Sequence, residues 1–267
     1  MSGRDNEGDT MNRNRVLNAR WSAKRIWVVA SFVMWFSVAA LDCHAAEVNK
    51  DGKVLRHAVF FKFKDGTAKK DVDAVVDAFK ALPAKIDEIR GFEWGVSLPK
   101  SERNDGLTHC FLLTFDDEAA RAAYLPHPAH KEFGSVLRPH LDQVFVIDYW
   151  GEPSKAKPSK RLKHAVFFKF KEGTPDAEVK TVEDGLAALP EKIDTISAFE
   201  WGKNNSPEKH DAGFTHCFMF TFSSEDALKE YVDHPSHVEV AKGLRSKVDK
   251  VRVIDFFVDE AGAKRVR

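Results

Sequence analysis

Residues 124–130 read YLPHPAH and residues 231–237 read YVDHPSH, so a tyrosine, a His-Pro step and a second histidine recur at one spacing, 107 positions apart. A histidine with a pKa near neutrality can remove a proton alpha to a carbonyl, and a tyrosine hydroxyl can hold the oxyanion that results. Tyr124 with His130, and Tyr231 with His237, are the residues of these stretches whose types permit that chemistry. A structural reading competes at each position. An aromatic eight residues beyond Asp116 on a helix suits a core position with its hydroxyl at the rim. A histidine just after Pro128 can cap the resumed helix or bond backbone freed by the break. His127, at the kink itself, reads as structural. Zinc held by His127, His130 and a carboxylate would rely on helical geometry across a proline and on a third ligand that no motif-like spacing supplies, so no metal is expected.

The elements that must position these residues come as a duplication. Sliding the sequence on itself by 107 places aligns 57–150 with 164–257 without a gap, and 45 of the 94 aligned positions are identical. HAVFFKFK, FEWG, THCF and VID each occur twice in the same order. The chain therefore divides into an N-terminal extension (1–46), a first domain (47–150), a linker rich in Pro, Ser and Lys (151–163) and a second domain (164–260). Within each copy, HAVFFKFK reads as a strand. VDAVVDAFKAL follows with apolar residues at helical intervals until Pro83 ends the run. FEWG and THCFLLTF are strands two and three, flanking a polar loop with Gly106. Asp116 and Asp117, or Ser223 and Ser224, cap a second helix that Pro128 interrupts, and VFVIDYW is the last strand. The order is βαββαβ, an α+β unit whose helices cover one sheet face only. Yet strand one is apolar on both sides: His57, Val59, Phe61 and Phe63 alternate with Ala58 and Phe60. Two sheets packed face to face would bury the second side, and the chain carries two, which predicts an intramolecular pseudo-dimer.

These pieces resemble the Dabb family, the stress-responsive dimeric α/β-barrel domain. The likeness lies in the opening H-x-V-x-F-K-F-K, the W-G of strand two, the G-x-T-H of strand three, the Y-x-x-H-P-x-H stretch and the closing D-[YF], and spans nearly all of both copies. The resemblance implies ferredoxin-like subunits whose sheets build a barrel, here from one polypeptide. The family includes a plant cofactor-free aldol cyclase of polyketide thioesters, and similarity to it points to Tyr124, His130, Tyr231 and His237 as the reactive positions. It also implies pocket roles for His57, His109 and Asp148 in one copy and His164, His216 and Asp255 in the other. Alternation places His57 with Phe61, and His109 with Phe111 and Leu113, so these imidazoles can enter an apolar cavity between sheet and helices. The competing reading is a buried histidine network, mutual or through Asp148.

Composition narrows the rest. Acidic and basic residues balance at 41 each and interleave everywhere, without the basic stripe that a nucleic-acid partner requires. Arg13, Arg15, Arg20, Lys24 and Arg25 precede the apolar run 26–41, which leads into CHAAE. That is a secretory layout, and the run is short of a bilayer core, so cleavage near Ala45 or Ala46 and export are expected, with no membrane association afterwards. Translation from Met1 or Met11 stays open. The mature chain would keep Cys110 and Cys217 alone, two buried thiols facing away from the histidines, or a disulfide across the pseudo-twofold axis. Glu93 and Glu200 have no second carboxylate nearby in sequence, so glycosidase logic gets no support. No coenzyme fingerprint occurs, and no cofactor is expected. A coenzyme A thioester is cytosolic, so the cyclase activity itself does not carry over to an exported protein. The expected function is that of an exported protein binding a small apolar or phenolic/carbonyl ligand. The alternatives are a cofactor-free lyase, cyclase or isomerase, and a scaffold without a ligand.

Overall fold

Both repeats fold along the same path. The computed structural model describes residues 52–99, 103–152 and 161–258; the signal-like segment 1–46 and most of the linker, 153–160, lie outside them. In the first repeat β1 (Val54–Phe63) leads to α1 (Lys69–Lys80) and a single turn, α2 (Leu82–Lys85). Then come β2 (Gly91–Val96), β3 (His109–Phe115), α3 (Glu118–Tyr124), α4 (Pro128–Leu137) and β4 (Leu141–Gly151). The second repeat gives β5 (Leu162–Phe170), α5 (Asp176–Ala187), a 3-10 turn (Leu189–Glu191), β6 (Ala198–Lys203) and β7 (His216–Phe222). It closes with α6 (Glu225–Asp233), α7 (Pro235–Leu244) and β8 (Val248–Phe257). The sheets are antiparallel, ordered β2-β3-β1-β4 and β6-β7-β5-β8.

Two boundaries depart from the sequence expectation. Pro83 does not end the helical run but opens the extra turn α2, because a first-turn position needs no backbone N–H. The expected linker 151–163 is entered from both sides: Gly151 closes β4, while Leu162 and Lys163 open β5 with their side chains buried. The caps agree with expectation. Asp117 accepts from Ala120 N at 2.8 Å and Ser224 from Ala227 N at 3.2 Å.

Strand alternation builds three cores. Leu55, Val59 and Phe61 face the helices of the first repeat, and Leu162, Val166 and Phe168 those of the second. Ala58, Phe60, Ala165 and Phe167 face the opposite way into a core shared by both sheets, together with Leu112, Ile147, Met219 and Ile254. That shared core covers the second apolar face, so the two sheets pack as one intramolecular pair. Cys110 and Cys217 sit in it as free thiols.

The sheet edges meet reciprocally. Leu98 N donates to Asp255 O at 2.7 Å and, 107 residues on, Asn205 N donates to Asp148 O at 2.9 Å. The W-G glycine permits this approach: a Cβ on Gly95 would lie 2.2 Å from Phe257 O, and one on Gly202 2.9 Å from Tyr149 Cβ. Glu93 and Glu200 point into the interface and pair with cations of the opposite repeat. Arg56 Nε lies 2.9 Å from Glu200 Oε2, and Arg161 Nη1 2.9 Å from Glu93 Oε1.

Candidate functional site

The His-Pro step does local structural work first. His127 and His234 are N-caps of α4 and α7, their Nδ1 atoms accepting from Ala129 N at 3.1 Å and Ser236 N at 3.2 Å. The break strands the carbonyls of Leu125 and Val232, and the second histidine of each motif satisfies them. His130 Nδ1 is 3.0 Å from Leu125 O, and His237 Nδ1 is 2.9 Å from Val232 O. A carbonyl only accepts, so Nδ1 carries the proton and Nε2 of each neutral ring keeps its lone pair. Burial lowers the pKa of both rings, and the bond to the carbonyl opposes it only in part, which keeps both imidazoles neutral and basic.

These rings converge with the tyrosine and the strand-one histidine. Tyr124 lies 4.3 Å from His130 and 5.6 Å from His57, centroid to centroid; Tyr231 lies 4.4 Å from His237 and 5.6 Å from His164. Both tyrosines are buried, and burial raises their pKa, so each hydroxyl stays protonated and able to donate. Behind them Asp148 and Asp255 bond the first histidine: Asp148 Oδ1 is 2.7 Å from His57 Nδ1 and Asp255 Oδ1 is 2.6 Å from His164 Nδ1. The structure thus brings eight of the ten expected residues into two His-Tyr-His clusters, each with its carboxylate.

His109 and His216 stand apart. They pair with Phe61 and Phe168, four residues along from the register of His57 and His164. His109 packs on Phe63 at 4.9 Å, while His216 Nε2 is 3.0 Å from Glu183 Oε1. Burial lowers the pKa of both, with Glu183 opposing it at His216. Alternation gave their face correctly, but the length of the strand separates them from the tyrosines.

The two clusters then diverge, through residues that the sequence reading did not single out. In the first repeat Arg121 Nη1 lies 2.8 Å from Asp148 Oδ2 and 2.9 Å from Asn205 Oδ1, on a loop of the second repeat. That loop also brings Glu208 Oε2 to 3.8 Å from His57 Nε2. Burial disfavours charge on His57, but Asp148 and Glu208 outweigh it and raise the pKa. Burial pushes the Asp148 carboxyl up, and His57 and Arg121 together bring it below its ordinary value. Phe133 stacks on Phe79 at 4.6 Å and lies 6.2 Å from Phe61 and 6.3 Å from His130. In the second repeat Leu228 stands in place of Arg121, Leu186 in place of Phe79 and Val240 in place of Phe133. A cavity of about 720 Å³ opens there, lined by His164, Tyr231, His237, Phe168, Leu186 and Val166 among others. Phe168, Leu186 and His237 are the counterparts of the three groups that surround the Phe133 ring. One signal could have exposed this difference: the unequal residues at the 107-residue offset.

Comparison with known proteins agrees with this architecture. The profile described as Stress responsive A/B Barrel Domain matches residues 55–151 and again 162–258. The stress-response A/B barrel domain-containing protein HS1 of Arabidopsis thaliana is 40% identical over 95 residues, covering 36% of this chain and 87% of its own. Olivetolic acid cyclase of Cannabis sativa is 27% identical over 95 residues, covering 36% of this chain and 94% of its own. A crystal structure of an anthrone oxidase-like protein superposes with a TM-score of 0.59 at 11% identity, over 80% of this chain and 94% of its own, which speaks for the fold alone. With both repeats matched, the chain belongs to the stress-responsive A/B barrel (Dabb) family, as a tandem of two domains.

Proposed function

We propose that the protein is an exported binder of a small apolar or phenolic/carbonyl ligand, held in the second repeat against His164, Tyr231 and His237. The observation that carries this reading is the cavity. Its volume of about 720 Å³ falls within the roughly 300–1,000 Å³ of small-molecule sites, and its walls are largely apolar with a few convergent polar groups. Export rests on the cationic segment followed by the apolar run in residues 1–46. It argues against carrying over a cyclase activity on coenzyme A thioesters, which an exported protein would not meet. The test is mass spectrometry of small molecules released from the native protein and from Val240→Phe, which copies the first repeat's ring. A compound released by the wild type and absent from the variant is expected. Release of nothing by either protein, or of the same compound by both, overturns the reading.

A second reading, proton transfer on a carbonyl compound without a cofactor, draws support from one specific arrangement. His237, with Nδ1 engaged by Val232 O so that Nε2 keeps its lone pair, and Tyr231, which stays protonated, line the same cavity, where one could act as base and the other hold an oxyanion. Turnover of a carbonyl substrate by the isolated protein is what separates it from binding alone.

A further inference from the structure

The ligand-binding reading leaves the polar end of the ligand open, and the inference drawn here rests on that reading. The residues lining the cavity include two arginines, Arg103 and Arg245, and no acidic residue. Asp255 lies behind His164, with Oδ1 engaged by Nδ1 of that ring. Arg245 follows the last turn of α7 as its C-cap. Arg103 comes from the first repeat, and its carbonyl accepts from Val253 N at 3.1 Å, which fixes its loop against β8 beside the cavity. Among the described residues neither guanidinium makes an ion pair. By contrast the neighbouring Arg252 is bonded to Asp105 at 2.6 Å. The first repeat lacks this arrangement: Arg138, counterpart of Arg245, donates to Ser135 Oγ at 2.8 Å, and His210 stands where Arg103 would be. In the second repeat Lys242 replaces that serine, so no hydroxyl holds Arg245 back on its own helix.

Two exposed arginines among the residues lining a largely apolar cavity, with no acidic residue beside them in that lining, complement a ligand with a single negative charge at one end. The geometry points to an amphiphilic carboxylate: its apolar body lies among Val166, Phe168 and Leu186, and its carboxylate sits between Arg103 and Arg245. Planar guanidinium groups suit this end because they bind carboxylates through paired N–H donors. Both repeats then contribute to one site, which gives the tandem arrangement a role in specificity.

Calorimetric titration of the full chain with decanoate and with 1-decanol tests the inference, since the two share a chain and differ in the charged end. Decanoate is expected to bind about tenfold more tightly than the alcohol, allowing for solvent exposure of the arginines. Arg103→Met and Arg245→Met should each remove most of that preference while leaving the alcohol within about twofold, and raising salt should narrow it in the wild type. Equal affinity for the two ligands, or equal losses for both in the variants, overturns the carboxylate inference while the cavity reading stands. Failure of both ligands to bind overturns the two together.

Discussion

The two repeats hold the same His-Tyr-His cluster and put it to different ends. In the first, the Phe133 ring stacks on Phe79 next to His130, and Arg121 engages the Asp148 carboxylate. In the second, Val240, Leu186 and Leu228 occupy those positions, and Tyr231 borders an open cavity. Unequal residues at these and neighbouring positions of the 107-residue offset, Asn205 against Leu98 among them, separate a filled, cross-braced site from a hollow one on a common backbone. The difference teaches that the conserved-looking motif is first a device for breaking a helix. His127 and His234 cap, His130 and His237 satisfy the stranded carbonyls, and whether chemistry follows depends on the residues around them.

The comparison is tested most severely at the carboxylates. Asp148 is fully buried between His57 and Arg121, so Asp148→Ala strands buried charge and is expected to cost about 3–5 kcal/mol. Asp255 has an 18% exposed side chain and, among the described residues, no arginine partner, so Asp255→Ala should cost less, about 1–3 kcal/mol, the loss of one buried hydrogen-bond partner. Urea denaturation of the two variants measures the gap. Equal losses would mean that Arg121 and the loop of the second repeat add nothing to the first site.

Much of the fold was legible because it is written twice. The 107-residue repeat gave two copies of one fold, the change of period within each copy gave the element order, and the two-faced alternation of strand one required a second sheet, found at Phe60 and Phe167. The tyrosine and histidine positions were singled out by a motif that recurs at one spacing in both copies and by the family resemblance, and the structure brings each tyrosine beside the second histidine of its motif across the break between two helices. Arg121, Asn205 and Glu208 were not, because their meeting with Asp148 and His57 depends on a loop crossing from the other repeat, which no local pattern encodes. His109 and His216 were placed on the right face and at the wrong end, since alternation fixes the side of a strand and says nothing of distance along it. The cavity was missed for a different reason: Phe133 and Val240 are both apolar, and binary pattern is blind to volume.

A smaller effect is expected from exchanging the rings. Phe133→Val gives the first repeat the residue of the second and should cost roughly 2–3 kcal/mol, less than a full truncation to alanine, since part of the apolar contact survives. It also opens space against Phe61, Phe79 and His130. Thermal unfolding of this variant, with and without an apolar ligand, is the measurement. If the loss is below about 0.5 kcal/mol, Phe133 is not the plug that distinguishes the repeats.

The finest distinction is in pH dependence. His57 has a raised folded pKa, so its contribution to stability is fully present below about pH 6.5 and is lost as pH rises through the folded value. Asp148 has a lowered one, so its contribution is present above about pH 4 and is lost as pH falls through the folded value. The bracing of the first repeat is therefore greatest between these limits. His57→Gln removes the imidazolium and keeps a donor of similar reach to Asp148. The stability gap between wild type and this variant, followed by urea denaturation from pH 6 to pH 9, should shrink by about 1.4 kcal/mol for each unit by which the folded pKa exceeds the unfolded one. His237 remains in the variant with its own neighbours His164 and His234 intact, so its effect cancels in the difference, whereas the release of His130 from the His57 charge is part of what the variant reads. A gap that stays flat across this range would mean that folding leaves the His57 pKa unshifted, so that the imidazolium gains nothing from Asp148. Arg121 would then be the sole cation serving Asp148, and the contrast between the repeats would rest on that one residue.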